Sequence, residues 1–286
     1  MITPFDAEGK VDYTALGKLL DTQLTGWVDY IVVLGTTGEA ATLTADEKRE
    51  VRRFIVNQLK INNYELKIPL VLGVGGNNTA AVCAELEAMR DELTDNYAAI
   101  LSVCPYYNKP SQEGLYQHFC HVVEASPVPV ILYNVPGRTG VNLLPETAMR
   151  IYEAHPDKIA GIKEASGNVE QIKRLIALST AHRTQSGLLV ISGDDGIACE
   201  LMEAGAAGLI SVASNAFPED FWHIVHDKDA ALQAKYAEMI RLLFAEGNPA
   251  GIKAVLAQKG IIGNYLRLPL VPASETLQQQ ISKQPG

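Results

Sequence analysis

Lys158-Ile159-Ala160-Gly161-Ile162-Lys163-Glu164-Ala165-Ser166-Gly167 carries an apolar run into a lysine and then into a turn. Residues 159–162 read as a strand buried on both faces, the pattern of a parallel sheet. The turn at Ser166-Gly167-Asn168 ends it, and a helical stretch opens at Val169. Lys163 therefore closes a buried strand. Desolvation disfavours an ammonium, so a lysine in that place presents a neutral, nucleophilic amine near neutral pH. Imine formation on a carbonyl compound needs such an amine. A lone strand-end lysine more often runs off into water, so its meaning depends on what else converges there.

Outward from this stretch, apolar runs alternate with amphipathic ones. Strands are expected at 30–34, 69–73, 98–103, 128–133, 159–163, 188–192 and 208–212. Helices are expected at 46–59, 79–92, 114–124, 145–152, 169–181 and 197–204. Regular alternation of this kind points to a parallel sheet with helical crossovers. Pro105, Tyr133, Lys163 and Gly193 mark strand ends at intervals of 28, 30 and 30 residues, the size of one strand–helix unit. A doubly wound sheet would show a Gly-rich fingerprint in its first strand–helix turn. Gly73-Val74-Gly75-Gly76-Asn77-Asn78 lacks the third glycine. The expected fold is therefore α/β, a (β/α)8 TIM barrel.

Such a barrel needs eight strands and the pattern supplies seven. The missing one belongs before Thr3-Pro4, where only Met1-Ile2 stand. The expectation is that the first strand is truncated and that the natural chain begins upstream. Beyond the last strand, 219–225, 230–245, 249–258 and 275–282 read as helices. Residues 1–218 are thus expected to form the barrel carrying the active site, and 219–286 a C-terminal helical region.

The chain has 286 residues, 47% hydrophobic and 20% charged, with a formal net charge of -9, the composition of an ordinary globular protein. A net negative charge argues against nucleic-acid or membrane-surface binding. No apolar run approaches the roughly 20 residues of a membrane span, and no secretory leader is recognised. Cys83, Cys104, Cys120 and Cys199 show no CxxC spacing. They read as reduced thiols of a cytoplasmic protein.

Strand ends carry unusual polar content. Gly35-Thr36-Thr37-Gly38-Glu39 sets consecutive hydroxyls among glycines, where backbone N–H groups and side chains can converge on a carboxylate. Cys104-Pro105-Tyr106-Tyr107-Asn108-Lys109-Pro110 pairs two tyrosines in a proline-bounded loop. Tyr133-Asn134-Val135-Pro136-Gly137-Arg138-Thr139-Gly140 ends a strand on a tyrosine and places an arginine in a stiff loop. Tyrosine can relay protons, and arginine can clamp a carboxylate with two hydrogen bonds. Tyr133 and Lys163 end successive strands, so they are neighbours at the sheet's C-terminal edge. Alternation along the strand turns Ile162 and Glu164 away from Lys163.

These stretches, with Ser192-Gly193-Asp194-Asp195 and Arg267-Leu268-Pro269, resemble the dihydrodipicolinate synthase family over nearly the whole chain. GTTGE and GIKE are shared with the wider superfamily of pyruvate-dependent lyases that includes N-acetylneuraminate lyase. The paired tyrosines and the Arg138 loop single out the synthases. The resemblance implies a lyase in which Lys163 forms a covalent imine with pyruvate, and whose enamine then attacks L-aspartate 4-semialdehyde. It implies a proton relay of Tyr133, Thr36 and Tyr107, with Tyr107 reaching in from a neighbouring subunit. Thr36 and Thr37 would hold the pyruvate carboxylate, Arg138 that of the semialdehyde, and Gly193 and Ile210 would add backbone contacts. It implies no metal and no organic cofactor, a homotetramer built as a dimer of dimers, and a place in lysine and diaminopimelate synthesis. Many members are inhibited by lysine. The corresponding positions here include Ala40, Ala41, Ala45, Lys48, Asn77, Ala81 and Tyr106. Because Lys48 and Ala81 stand where sensitive members carry other groups, lysine is expected not to inhibit.

Two competing readings are a sugar-acid lyase of the same superfamily, against which Tyr107 and Arg138 argue, and a catalytically silent ligand sensor, against which the intact set of Lys163, Tyr133, Thr36 and Tyr107 argues. The pairs His118/His121 and His223/His226 have helical spacing but no accompanying carboxylate or cysteine ligand; they read as surface histidines. Asp194 and Asp195 read as helix caps, and the charges of 46–53 as a solvated helix face.

Overall fold

The computed structural model describes residues 1–61, 68–181 and 187–284. They fall into two compact units, Met1–Pro69 with Ser211–Gly286, and Leu70–Ile210. Residues 211–286 thus group with the N-terminal 69 rather than standing apart.

Seven strands occur among the described residues: β1 (Ile31–Val33), β2 (Leu70–Gly73), β3 (Ala99–Val103), β4 (Val130–Asn134), β5 (Ile159–Glu164), β6 (Leu189–Ser192) and β7 (Gly208–Leu209). In the unit Leu70–Ile210, β2 to β7 lie side by side in chain order, each parallel to the next. Strands in such a sheet are covered on both faces. Accordingly every residue of β4 is buried, as are Ile159, Gly161, Ile162 and Glu164 of β5. Gly161 is required by that packing: a Cβ there would lie 2.6 Å from the Leu189 carbonyl oxygen of β6.

Each strand returns through a helix. Thr79–Ala88 packs on Gln112–Ala125, that helix on Pro145–Ala154, and that one on Val169–Ala181. Local chemistry starts these helices where they start. The Asn78 side chain accepts from the Ala81 amide and the Ser111 hydroxyl from the Gly114 amide, satisfying donors that a helix N-terminus leaves open.

In the other unit, Tyr13–Thr25 packs on Ala45–Ile61. The first of these was not anticipated. Its signal was present in Asp12 as N-cap and in the buried spacing of Leu16, Leu19, Leu20 and Leu24, a narrow apolar stripe at helical period. Pro218–His226, Ala230–Ala245, Ala250–Gln258 and Glu275–Ile281 pack on one another, close to their expected bounds.

Other differences have local causes. The helix expected at 79–92 is two, Thr79–Ala88 and Arg90–Asn96, parted at Met89. The strand expected at 208–212 stops at Leu209; the Ile210 amide still donates to the Ser192 carbonyl, and Val212 has turned to the helical region. No eighth strand occurs among the described residues. At the N-terminus, the Met1 amino group donates to the Val32 carbonyl at 2.8 Å and the Ile2 amide to Asn215 Oδ1 at 2.9 Å.

His118 is a correction: it is buried, its Nδ1 2.9 Å from Thr79 Oγ1, where the sequence suggested a surface position. Leu115, His118, Phe119 and Val122 form a buried stripe at helical spacing on Gln112–Ala125, and the imidazole goes with it, meeting the start of the helix Thr79–Ala88. His223 and His226 bond Asp227 and Asp29 respectively. The face at 46–53 is not wholly solvated either, since Arg52 is buried and Glu47 pairs with Arg267. Asp194 caps its turn by accepting from the Gly196 amide, whereas Asp195 lies buried inside it.

Candidate active site

Register explains the candidate site of the unit Leu70–Ile210. Tyr133 on β4 pairs with Lys163 on β5, and Asn134 with Glu164. Paired positions of a parallel sheet share a face, and the next pair points the other way. One face therefore carries a first row, Tyr133 with Lys163, and the other a supporting row, Asn134 with Glu164.

In the first row Lys163 Nζ lies 4.5 Å from the centre of the Tyr133 ring. Tyr133 is buried and Lys163 half-buried, so the amine is shielded yet reachable. Room for it comes from Gly193, at the end of β6. A Cβ there would stand 2.9 Å from Lys163 Cε and 2.6 Å from Ala165 Cβ. The Gly193 amide is held by the Glu164 carbonyl at 2.8 Å. Ile210, one strand on, is fixed by its amide's bond to Ser192.

In the supporting row Glu164 is fully buried, and its carboxylate accepts from the Ser166 amide at 2.7 Å, Asn134 Nδ2 at 2.9 Å and Gln171 Nε2 at 3.2 Å. Asn134 also donates to Asn142 Oδ1 and accepts from the Leu143 amide. Both ends of the loop that presents Arg138 are thereby tied to the sheet. Sequence reasoning placed Glu164 on the far face but gave it no task, and it missed Asn134, Asn142 and Gln171. The available signal was an amide after Tyr133 and a carboxylate after Lys163, at equal register on adjacent strands.

Arg138 sits on the short helix Pro136–Thr139 and is exposed. Thr139 connects that loop to the paired tyrosines: its carbonyl accepts from the Tyr107 amide at 3.2 Å. Tyr107 has a φ of 74°, is 87% exposed and faces solvent. A non-glycine residue in the left-handed region is uncommon and persists where surroundings enforce it. Here Asn77 Nδ2 donates to the Tyr106 carbonyl, and Asn108 Nδ2 to that of Asn77. Cys104, at the end of β3, is buried and 4.0 Å from Asn134 Oδ1. Burial, with Glu164 adding to it, pushes its thiol far above the ordinary range, so it is no nucleophile.

The threonine turn lies in the unit Met1–Pro69 with Ser211–Gly286. Thr36–Gly38 is one tight helical turn, and both threonines are half-buried. Thr37 Oγ1 accepts from Asn248 Nδ2 at 2.9 Å. Glu39, at a φ of 51°, ends the turn; its carboxylate is fully buried 2.5 Å from Lys253 Nζ. Lys253 also donates to the Tyr265 carbonyl at 2.9 Å. Burial pulls the Lys253 ammonium down to about 8, opposed by Glu39. The most desolvated amine described is therefore on the helix Ala250–Gln258, sealed and ion-paired, not at a strand end. Arg267 clamps Glu47 with two bonds of 2.6 and 2.8 Å and reaches the Gly9 and Thr42 carbonyls. Those bonds hold the Glu47 carboxyl down at about 2.

Among the described residues no group of three or more His, Cys, Asp and Glu side chains is arranged to hold a metal ion. No described helix is long and apolar enough to cross a membrane.

A profile of the Dihydrodipicolinate synthetase family matches residues 1–284. The chain belongs to that family. It is 47% identical over 282 residues to the 4-hydroxy-tetrahydrodipicolinate synthase of Parabacteroides distasonis, covering 95% of this chain and 89% of that one. It is 46% identical over 290 residues to that of Azobacteroides pseudotrichonymphae, covering 99% and 93%. Among solved structures, the dihydrodipicolinate synthase of Acinetobacter baumannii in complex with pyruvate matches with a TM-score of 0.89 at 38% identity, over 99% of this chain and 94% of that one.

Proposed function

We propose that this protein condenses pyruvate with L-aspartate 4-semialdehyde to 4-hydroxy-tetrahydrodipicolinate, in lysine and diaminopimelate synthesis, as its named relatives do. The observation that carries the reading is Lys163 Nζ over the Tyr133 ring, in space left by Gly193. The Lys163 amine attacks C2 of pyruvate, and water leaves as the imine forms. The imine draws electrons from C3, which loses a proton to give an enamine. The enamine carbon attacks the aldehyde of the semialdehyde. The amino group of that substrate then adds to C2, closing the ring and releasing Lys163.

In this reading Tyr133 moves protons at the imine carbon, with Thr36 and Tyr107 as partners of a relay. Tyr107 would do so across a subunit boundary, which suits an exposed tyrosine held by its loop. Thr36 and Thr37 take the pyruvate carboxylate, Arg138 that of the semialdehyde, and Gly193 and Ile210 supply backbone contacts. The imine serves as the electron sink, so the reaction calls for no metal or organic cofactor. We also read the parallel sheet as part of a (β/α)8 barrel spanning 1–218 with a C-terminal helical region at 219–286, the protein as a cytoplasmic enzyme, and its assembly as a homotetramer, a dimer of dimers.

Reduction with borohydride in the presence of pyruvate, followed by peptide mass spectrometry, tests the assignment. The adduct is expected on Lys163 and not on Lys253, whose depressed ammonium is wholly buried and paired. An adduct elsewhere, or none, rejects Lys163. Lys163→Ala and Lys163→Arg should both abolish trapping, because arginine stays protonated and cannot attack a carbonyl. Turnover with N-acetylmannosamine in place of the semialdehyde would instead make the protein a sugar-acid lyase.

A further inference from the structure

The segment 248–253 touches the threonine turn twice. Asn248, only 8% exposed, donates from Nδ2 to Thr37 Oγ1 at 2.9 Å. Five residues on, Lys253 holds Glu39, the residue that ends the same turn, at 2.5 Å. Both members of that ion pair are 0% exposed, and the Arg267 amide adds a bond to Glu39 Oε2 at 3.3 Å. A buried pair of this kind is costly to break, so the turn is held rigidly against the segment. Rigidity at one end gives the contact at the other a defined geometry. None of the roles read from the sequence falls on this segment.

A threonine hydroxyl has one proton to donate and two lone pairs to accept with. Asn248 fills an accepting position, which leaves the Thr37 proton for another acceptor. A pyruvate carboxylate can only accept. We infer that Asn248 is a positioning residue, acting through Thr37: it fixes that hydroxyl as a donor to the substrate carboxylate. The inference rests on the proposed binding role of Thr37. It makes the polarity of Asn248, and not only its size, matter to pyruvate binding.

The test compares two variants of Asn248 by steady-state kinetics with pyruvate varied. Asn248→Ala removes the orienting bond and leaves Thr37 free to rotate; pyruvate KM should rise about five-fold, the scale of one neutral hydrogen bond. Asn248→Asp keeps shape and volume but offers only acceptors, so it captures the Thr37 proton and withdraws it from substrate. Pyruvate KM should then rise about fifty-fold, because a carboxylate binds a hydroxyl more tightly than a neutral acceptor does. In both variants kcat should change little, the mark of an interaction equal in ground and transition states. A packing role predicts the reverse order, with the isosteric Asp milder than Ala, and that order would overturn the inference. Circular dichroism and thermal unfolding establish that each variant is folded, and a Thr37→Val background separates the two ideas. If Thr37→Val raises pyruvate KM and Asn248→Asp then adds nothing further, the residues act as one unit and the inference stands. If Thr37→Val raises pyruvate KM while Asn248→Asp in the unchanged background does not, Asn248 has no such role although Thr37 does. If Thr37→Val leaves pyruvate KM unchanged, the binding role of Thr37 fails and the inference falls with it.

Discussion

Lys163 owes its place to a residue that has no side chain. The space beside its Cε exists because position 193 is glycine, and a single methyl group there would enter that space at 2.9 Å while also striking Ala165 at 2.6 Å. Gly193→Ala should therefore displace the lysine from the Tyr133 ring. Near-attack geometry is sensitive to shifts of about 1 Å, which can cost on the order of a hundred-fold in rate. The expected outcome is a loss of that order in kcat and in the rate of borohydride trapping with pyruvate, in a protein that still unfolds cooperatively. Unchanged trapping would show that Gly193 matters only for its backbone. Lys163 itself was legible in the sequence, because a lysine that closes an apolar run is conspicuous. Gly193 was named only by resemblance: the atoms that exclude a Cβ come from Lys163 and Ala165, about thirty residues away in a different strand–helix unit. Lys253 was not seen at all, since a buried cation on a helix becomes intelligible only once its partner Glu39, 214 positions earlier, is found beside it.

At the scale of elements, strands were legible because both of their faces are covered, and unbroken apolar runs result. The bonds that tie one strand's end to the following loop were not, because single amides and carboxylates carry no periodicity. Glu164 is the strongest case. It accepts from three donors, Ser166 N, Asn134 Nδ2 and Gln171 Nε2. In Glu164→Gln, one orientation of the new amide sets an N–H group against Ser166 N and the other against both Asn134 Nδ2 and Gln171 Nε2. An unsatisfied buried donor costs about 1–3 kcal/mol, so the urea midpoint should fall by that equivalent. The semialdehyde KM should rise more than that of pyruvate, because the loosened loop is the one that carries Arg138. The helix Gln112–Ala125 offers a separate test through His118, which burial, with His121 adding to it, pulls down from 6.5 to about 4. The folded state then binds fewer protons than the unfolded state between those values. Stability should be full above 6.5 and fall as the pH drops towards 4, by up to about 3 kcal/mol. His118→Gln should remove that slope. The loss that remains below the ordinary carboxylate value then belongs to groups such as Glu47, whose bond to Arg267 survives until the pH approaches 2.

At the scale of the whole molecule, the resemblance raises regulation by the end product of lysine synthesis, and particular side chains argue against it. Asn77 and Tyr106, two of the corresponding positions, are bonded to each other through the Tyr106 carbonyl. Ala81 lies in the first turn of the helix Thr79–Ala88, where its amide is capped by Asn78, and it is exposed. An alanine there gives the α-ammonium of a bound lysine no carboxylate. By the resemblance, Lys48 is another of the corresponding positions, and a lysine there would add a positive charge beside a cationic ligand. The lost charge-assisted hydrogen bond weakens binding by roughly 1.5–3 kcal/mol, which is about ten- to over a hundred-fold, and like-charge repulsion acts in the same direction. Glu85 competes with that reading. It lies one turn after Ala81 on the same helix, at the spacing that shares a face, and it is exposed. Initial rates measured against L-lysine are expected to stay flat through millimolar concentrations. Inhibition that Glu85→Ala abolishes would instead place the ammonium-binding carboxylate one turn further along the helix. Inhibition that survives Glu85→Ala would put the lysine site on a surface other than this one.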